Sequence, residues 1–155
     1  MSTSFPAADT TTLVQHAYAA GQDILRVRSQ ETKKQLGQFL TPPPLARYMA
    51  RRVVQPKKEV HILDPAVGSG VLLCAAIEQI IARGYTETLH VTGYDVDAPL
   101  AACARSALEQ VQQRAQERGI KMQYTVKTAD FILDQVPNNK PSLFDDAPPC
   151  ISPCV

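Results

Sequence analysis

Residues 59–84, EVHILDPAVGSGVLLCAAIEQIIARG, restrict the folds open to this chain more than any other stretch. Val60, Ile62 and Leu63 make a short apolar strand that Asp64-Pro65 stops, since proline cannot donate to a sheet ladder. Gly68 and Gly70 then form a tight loop. From Val71 to Arg83 the apolar spacing is helical, and Gly84 supplies the C-terminal stop. Strand, glycine turn and helix together make one unit of a parallel α/β sheet.

The unit recurs downstream. TLHVTGYDVD (88–97) predicts a second strand, followed by a long helix from about Pro99 to Arg118 that ends at Gly119. KMQYTVKTAD (121–130) predicts a third strand running to Asp130. Strands alternating with helices imply right-handed crossovers, hence a parallel, doubly wound sheet. Aromatics make up only 6% of the chain and tryptophan is absent, so the core is built from Ala, Val, Leu and Ile, as helices packed on a parallel sheet require.

Upstream, residues 1–10 are small and polar and read as disordered, while 11–32 read as an N-terminal helical segment with Gly21 as a weak point. Gln30 to Gly37 reads as a polar connector. In GQFLTPPPLARYMARRVV (37–54), Thr41 is placed to cap a helix that starts among the prolines. Residues 33–145 read as the main α/β domain and 146–155 as an irregular tail.

Charge and cysteines exclude several classes. A net charge of +1 gives no global attraction to polyanions. The locally basic set Lys33, Lys34, Arg47, Arg51, Arg52, Lys57 and Lys58 reads either as a solvated face or as a contact for nucleic acid or another partner. Cys74 and Cys103 fall in helical patterns, and Cys150 and Cys154 lack a partnering His or second pair, so no zinc framework is present and no metal is expected. No stretch approaches the roughly 18 apolar residues of a membrane span, and MSTSFPAADTTT lacks the charged start of a secretory leader. These features predict a cytoplasmic protein without membrane contact.

Ligands of open parallel sheets bind at the carboxyl ends of the strands. Here those ends carry Asp64, Asp95 with Asp97, and Asp130. One acid after a strand is ordinarily a helix cap or turn former. Three at one sheet edge, beside a glycine loop, predict a binding crevice. The loop DPAVGSG lacks the Gly-Lys-Ser/Thr ending of a phosphate loop and does not match G-x-G-x-x-G. Asp64 ahead of it repels phosphates and welcomes an amine. Asp95 lies 25 residues past Gly70, near the offset of about 20 at which an acid takes a ribose hydroxyl. An ammonium, a ribose and an adenine without phosphate describe S-adenosylmethionine.

KKQLGQFLTPPPLARYM, ILDPAVGSGVLL, VTGYDVDAPLAACA and TADFIL resemble, in order and spacing, four consecutive motifs of the N6-adenine-specific DNA methyltransferases of restriction-modification type. The resemblance covers residues 33 to about 134. It implies a Rossmann-like S-adenosylmethionine-dependent methyltransferase fold, with DNA as substrate and a companion restriction or specificity subunit as a partner. By similarity Thr41 touches the cofactor carboxylate, while Asp64 and the Ala66, Gly68 and Gly70 backbone line the methionine moiety. Asp95 holds the ribose, Val96 presses on the adenine, Asp130 accepts from the adenine amine, and Phe131 packs nearby.

The resemblance stops near Asp145. Family members carry a catalytic (Asn/Asp/Ser)-Pro-Pro-aromatic loop after a fourth strand, whose polar residue accepts from the target amine and whose aromatic stacks on a flipped base. Here the corresponding place holds Ala147, Pro148, Pro149 and Cys150, which offer neither acceptor side chain nor stacking ring. The expected fold is therefore truncated after about three strands, with the first strand exposed at an edge. The expected activity is cofactor binding without methylation by the chain alone. An RNA or protein N-methyltransferase fragment and a non-catalytic partner-binding module stand as alternatives.

Overall fold

A computed structural model describes residues 12–35, 37–52, 59–85 and 87–134. Helix α1 (Leu13–Arg26) begins at a capping box in which the Thr12 side chain accepts from Gln15 N and the Gln15 side chain accepts from Thr12 N. Gly21 does not break it. The position is buried, and a Cβ there would lie 2.5 Å from Leu40 Cδ1 and from Ser69 Oγ, so glycine is what lets α1 lie against the loop at 66–70.

The expected connector after α1 is instead a second helix, α2 (Gln30–Gln35). Ser29 caps it: its Oγ accepts from Thr32 N at 3.1 Å. Helix α3 (Pro43–Ala50) starts one residue later than a Thr41 cap requires. Pro42 occupies the cap position and makes no side-chain cap bond, and prolines fill the first turn, where a missing N–H costs nothing.

Strands β1 (Glu59–Asp64), β2 (Thr88–Asp95) and β3 (Lys121–Thr128) form one parallel sheet in the order β1-β2-β3. Helix α4 (Val71–Ala82) connects the first pair, and α5 (Ala98–Gln116) the second. His61 lies opposite His90, and Asp64 opposite Gly93, while Asp95 lies opposite Thr128. A short helix, α6 (Phe131–Asp134), follows β3 and was not expected from periodicity; the Asp130 carboxylate nucleates it.

The core sits between α4 and α5 and one face of the sheet, with Leu73, Ile77, Leu89, Val91, Leu108 and Val111 fully buried. Helix α1 packs on both α4 and α5, and α3 packs on α4. On the opposite sheet face Glu59, His61, Leu63, Lys121, Gln123, Thr125 and Lys127 are exposed. Among the described residues β1 pairs with β2 alone, so its outer side is an edge. The disordered start expected at 1–10 and the tail with Ala147, Pro148, Pro149 and Cys150 lie outside the described residues.

Candidate functional site

The glycine loop is shaped by the strand ends on either side of it. Asp64 Oδ1 accepts from Ala66 N at 3.1 Å, turning the chain as it leaves β1. Burial pushes the Asp64 carboxyl above its ordinary range, and the Asp95 charge adds to this against the opposing backbone bond. Val67 N donates to Tyr94 O at 2.7 Å, which stitches the loop to the end of β2. Gly68 (φ 55°) and Gly70 (φ 89°) both take the left-handed conformation that glycine adopts without steric cost, and Gly70 caps α4.

Asp95 organises this loop. Its Oδ2 accepts from Gly68 N at 2.8 Å, and its Oδ1 accepts from Asp97 N at 2.8 Å. Each oxygen retains acceptor capacity for a further donor.

Two residues on, Asp97 ties three parts of the chain together. Its Oδ1 accepts from Leu100 N at 3.0 Å, capping α5. The Arg28 guanidinium forks onto both of its oxygens, Nη1 to Oδ2 at 2.6 Å and Nη2 to Oδ1 at 3.1 Å, and Gln38 Nε2 donates to Oδ2 at 2.8 Å. Arg28 therefore holds the Asp97 carboxyl below the usual carboxylate range, outweighing burial. Only the NH₂ end of Gln38 can face a carboxylate, so its Oε1 is turned away. That Oε1 is buried and has no partner among the described residues, on a residue that is 8% exposed.

Gln38, Phe39 and Leu40 form one wall of a cavity of about 550 Å³ at the carboxyl ends of the strands. Ala66 and Gly68 of the loop also line it, as do Asp95 and Val96 at the end of β2 and Asp130 and Phe131 beyond β3. Six of the nine binding residues expected from sequence thus meet at one cavity. Thr41, Asp64 and Gly70 do not line it: Thr41 is half-buried beyond Leu40, and Asp64 and Gly70 shape the loop from behind. Asp130 Oδ1 accepts from Ile132 N (2.8 Å) and Leu133 N (3.2 Å), which makes the acid a helix cap as well as a cavity wall. Phe131 stands edge-on to Tyr94, with ring centroids 5.1 Å apart. Val96 is 60% exposed and belongs to the cavity rim, not the core.

Apolar plates and carboxylates facing a concave space of this size suit a small molecule that combines a flat ring with hydroxyl or amine donors. None of Lys33, Lys34, Arg47, Arg51 and Arg52 lines the cavity. Arg47 donates to Thr12 Oγ1, and Arg52 donates to the Tyr48 hydroxyl at 3.1 Å with its guanidinium over that ring. Lys57 and Lys58 lie outside the described residues. Sequence reasoning missed Arg28 and Gln38. Asp97 carries a visible cap signal, Asp-Ala-Pro, but nothing near it points to a partner at position 28.

A family model described as N-6 DNA methylase matches residues 13–136. A Listeria monocytogenes protein of known structure, described as a class I S-adenosylmethionine-dependent methyltransferase, superposes with a TM-score of 0.51 at 24% identity. The match covers 79% of this chain and 35% of that one, so the chain spans about a third of the length of the solved protein. The likeness establishes the fold, a Rossmann-like methyltransferase sheet of which three strands are described. No curated protein gives a significant match. No described helix is long and apolar enough to cross a membrane.

Proposed function

This chain belongs to the N-6 DNA methylase family, and on that premise we propose that it is the S-adenosylmethionine-binding part of a DNA adenine N6-methyltransferase. The observation that carries the reading is the cavity at the strand ends, lined by Asp95 and Val96 from the end of β2 and by Asp130 and Phe131 beyond β3. Its volume of about 550 Å³ accommodates a nucleoside with an amino-acid tail. The unpartnered Gln38 Oε1 is an acceptor that a bound ammonium or amine would satisfy, so the residues present fit such a ligand.

In this reading the cofactor supplies an electrophilic methyl group. The chain's own residues hold and orient it. Asp95 accepts from ribose hydroxyls with the lone pairs left free by its two backbone bonds, and in doing so senses the loop conformation through Gly68. Asp130 accepts from the adenine amine while it caps α6, and Val96 and Phe131 sandwich the ring. The Ala66 and Gly68 backbone faces the methionine end, while Asp64 shapes that loop from behind and Thr41 is set beyond Leu40. By sequence, Ala147, Pro148, Pro149 and Cys150 supply no base-accepting side chain, so the chain binds cofactor without methylating DNA by itself. DNA and a companion subunit enter through the remainder of a complete enzyme.

Calorimetric titration with S-adenosylmethionine tests this. Saturable one-to-one binding is expected, and Asp95→Asn should weaken it about 10-fold or more, the scale of a hydrogen bond to a charged group. If Asp95→Asn binds as the parent does, the site assignment is wrong. If the parent binds no cofactor yet forms a defined complex with another polypeptide, the chain is a partner-binding module.

A further inference from the structure

The open face of the sheet carries a second cluster, at the opposite ends of the strands from the cavity. Glu59 and His61 project from the same face of β1, two residues apart, and the register of the parallel pair sets His90 of β2 directly against His61. Glu59 Oε1 lies 2.9 Å from His90 Nε2 and 3.3 Å from His61 Nε2. The imidazoles stack with centroids 4.7 Å apart and an interplanar angle of 11°. One donor atom from each of the three side chains lies within 4.8 Å of the other two.

We propose that Glu59, His61 and His90 form a binding site for a borderline divalent transition-metal ion, of which Zn²⁺ is the representative. Two imidazoles and one carboxylate are a donor set for such an ion and a poor one for Mg²⁺ or Ca²⁺, which prefer oxygen. Metal–donor bonds of about 2.0–2.1 Å in a tetrahedral shell place neighbouring donors roughly 3.3–3.4 Å apart. The Glu59–His61 separation of 3.3 Å already matches that edge and the Glu59–His90 separation of 2.9 Å is shorter by a few tenths of an ångström, so the imidazoles must turn inward and the Glu59–His90 contact lengthen slightly. His61 and Glu59 are more than half exposed, at 71% and 56% of their side-chain surface, which leaves them free to turn. A groove of about 240 Å³ runs from both imidazoles toward Thr92 and Tyr94, leaving room for water or an outside ligand in the fourth position.

The backbone holds the site together. All three residues are in regular strand, and β1 and β2 are fully paired from Glu59–Thr88 to Asp64–Gly93. A metal ion here bridges the edge strand to its neighbour and so stabilises the side of the sheet that has fewest contacts. The donor atoms lie away from the cofactor cavity: His90 is five residues from Asp95, about 16 Å along an extended strand, although Phe131 lines both the cavity and the groove.

The chain contains three histidines, so the third, His16 on α1, is an internal control. The full chain, freed of metal with a chelator, is titrated with ZnSO₄ by calorimetry and followed by thermal unfolding. Expected are one-to-one binding and a raised Tm, neither reproduced by MgCl₂, with the His16→Gln variant unchanged. His61→Gln and His90→Gln should each weaken binding at least about 10-fold, since even changes outside the ligand shell cost that much. Undiminished Zn²⁺ binding in the double variant would place the ion elsewhere, for example on cysteines, and overturn the proposal. So would the absence of saturable binding in the parent, which would leave the cluster as hydrogen-bonded side chains. Should the variants fail to fold, nitrogen hyperfine splitting from two imidazoles in the Cu²⁺ resonance spectrum of the parent decides the matter: two support the site, none refutes it.

Discussion

The two faces of the sheet are built from the same three strands yet have opposite fates. Toward the helices, Leu89 and Val91 of β2 and Met122 and Val126 of β3 are buried against α4 and α5. On the other side β2 presents Thr88, His90 and Thr92 and β3 presents Lys121, Gln123, Thr125 and Lys127, with Tyr94 buried at the end of β2 and Leu63 51% exposed. Strand periodicity assigns residues to one side or the other, but only the packing of helices decides which side becomes core. The covered face holds the apolar core of the molecule, and the open face displays polar side chains such as Glu59 and His61.

The strongest test of that division is Leu89→Ala. A fully buried leucine in the middle strand leaves a cavity, and the loss should be about 2–5 kcal/mol by urea unfolding. A pH effect follows. The Asp97 carboxyl is held low by Arg28, so its stabilisation is complete above the ordinary aspartate value near ~4 and is lost as pH falls through the depressed folded value. Melting curves between pH 6 and pH 2 should therefore fall more steeply for the parent than for Asp97→Asn. A parent curve no steeper than that of the variant would mean the Arg28 fork contributes nothing in solution. The smallest effect belongs to the open face: Leu63→Ser should change stability by no more than about 0.5 kcal/mol. A cost comparable to that of Leu89→Ala would mean the face is covered in solution, and the contrast between the two sides would collapse.

Much of this was legible in the chain itself. The run Val60, Ile62, Leu63 before Asp64-Pro65, the glycine loop and the stops at Gly84 and Gly119 locate β1, α4 and α5 within a few residues, because these signals are local. Asp95, Val96, Asp130 and Phe131 were readable as a group, since parallel strands must end together. What was not readable depends on contacts distant in sequence. Gly21 looked like a weak point because its role is to admit Leu40 and Ser69, which periodicity does not report. The short helices α2 and α6 hang on single caps at Ser29 and Asp130. Cysteine spacing speaks only to a cysteine framework, whereas the pairing of His61 with His90, on which the proposed metal site rests, exists only once strand register is known.

The Arg28–Asp97 contact spans 69 residues of chain, and Asp97 also accepts from Gln38, so one carboxylate anchors both residues. Closing so long a loop is entropically costly and cannot be repaid until β2 and the first turn of α5 exist to receive it. Ligand competence is thus expected late in folding. In native-state hydrogen exchange the wall at Gln38 is expected to open before the strands, so that affinity for a ligand would report on the chain's topology as well as on the pocket.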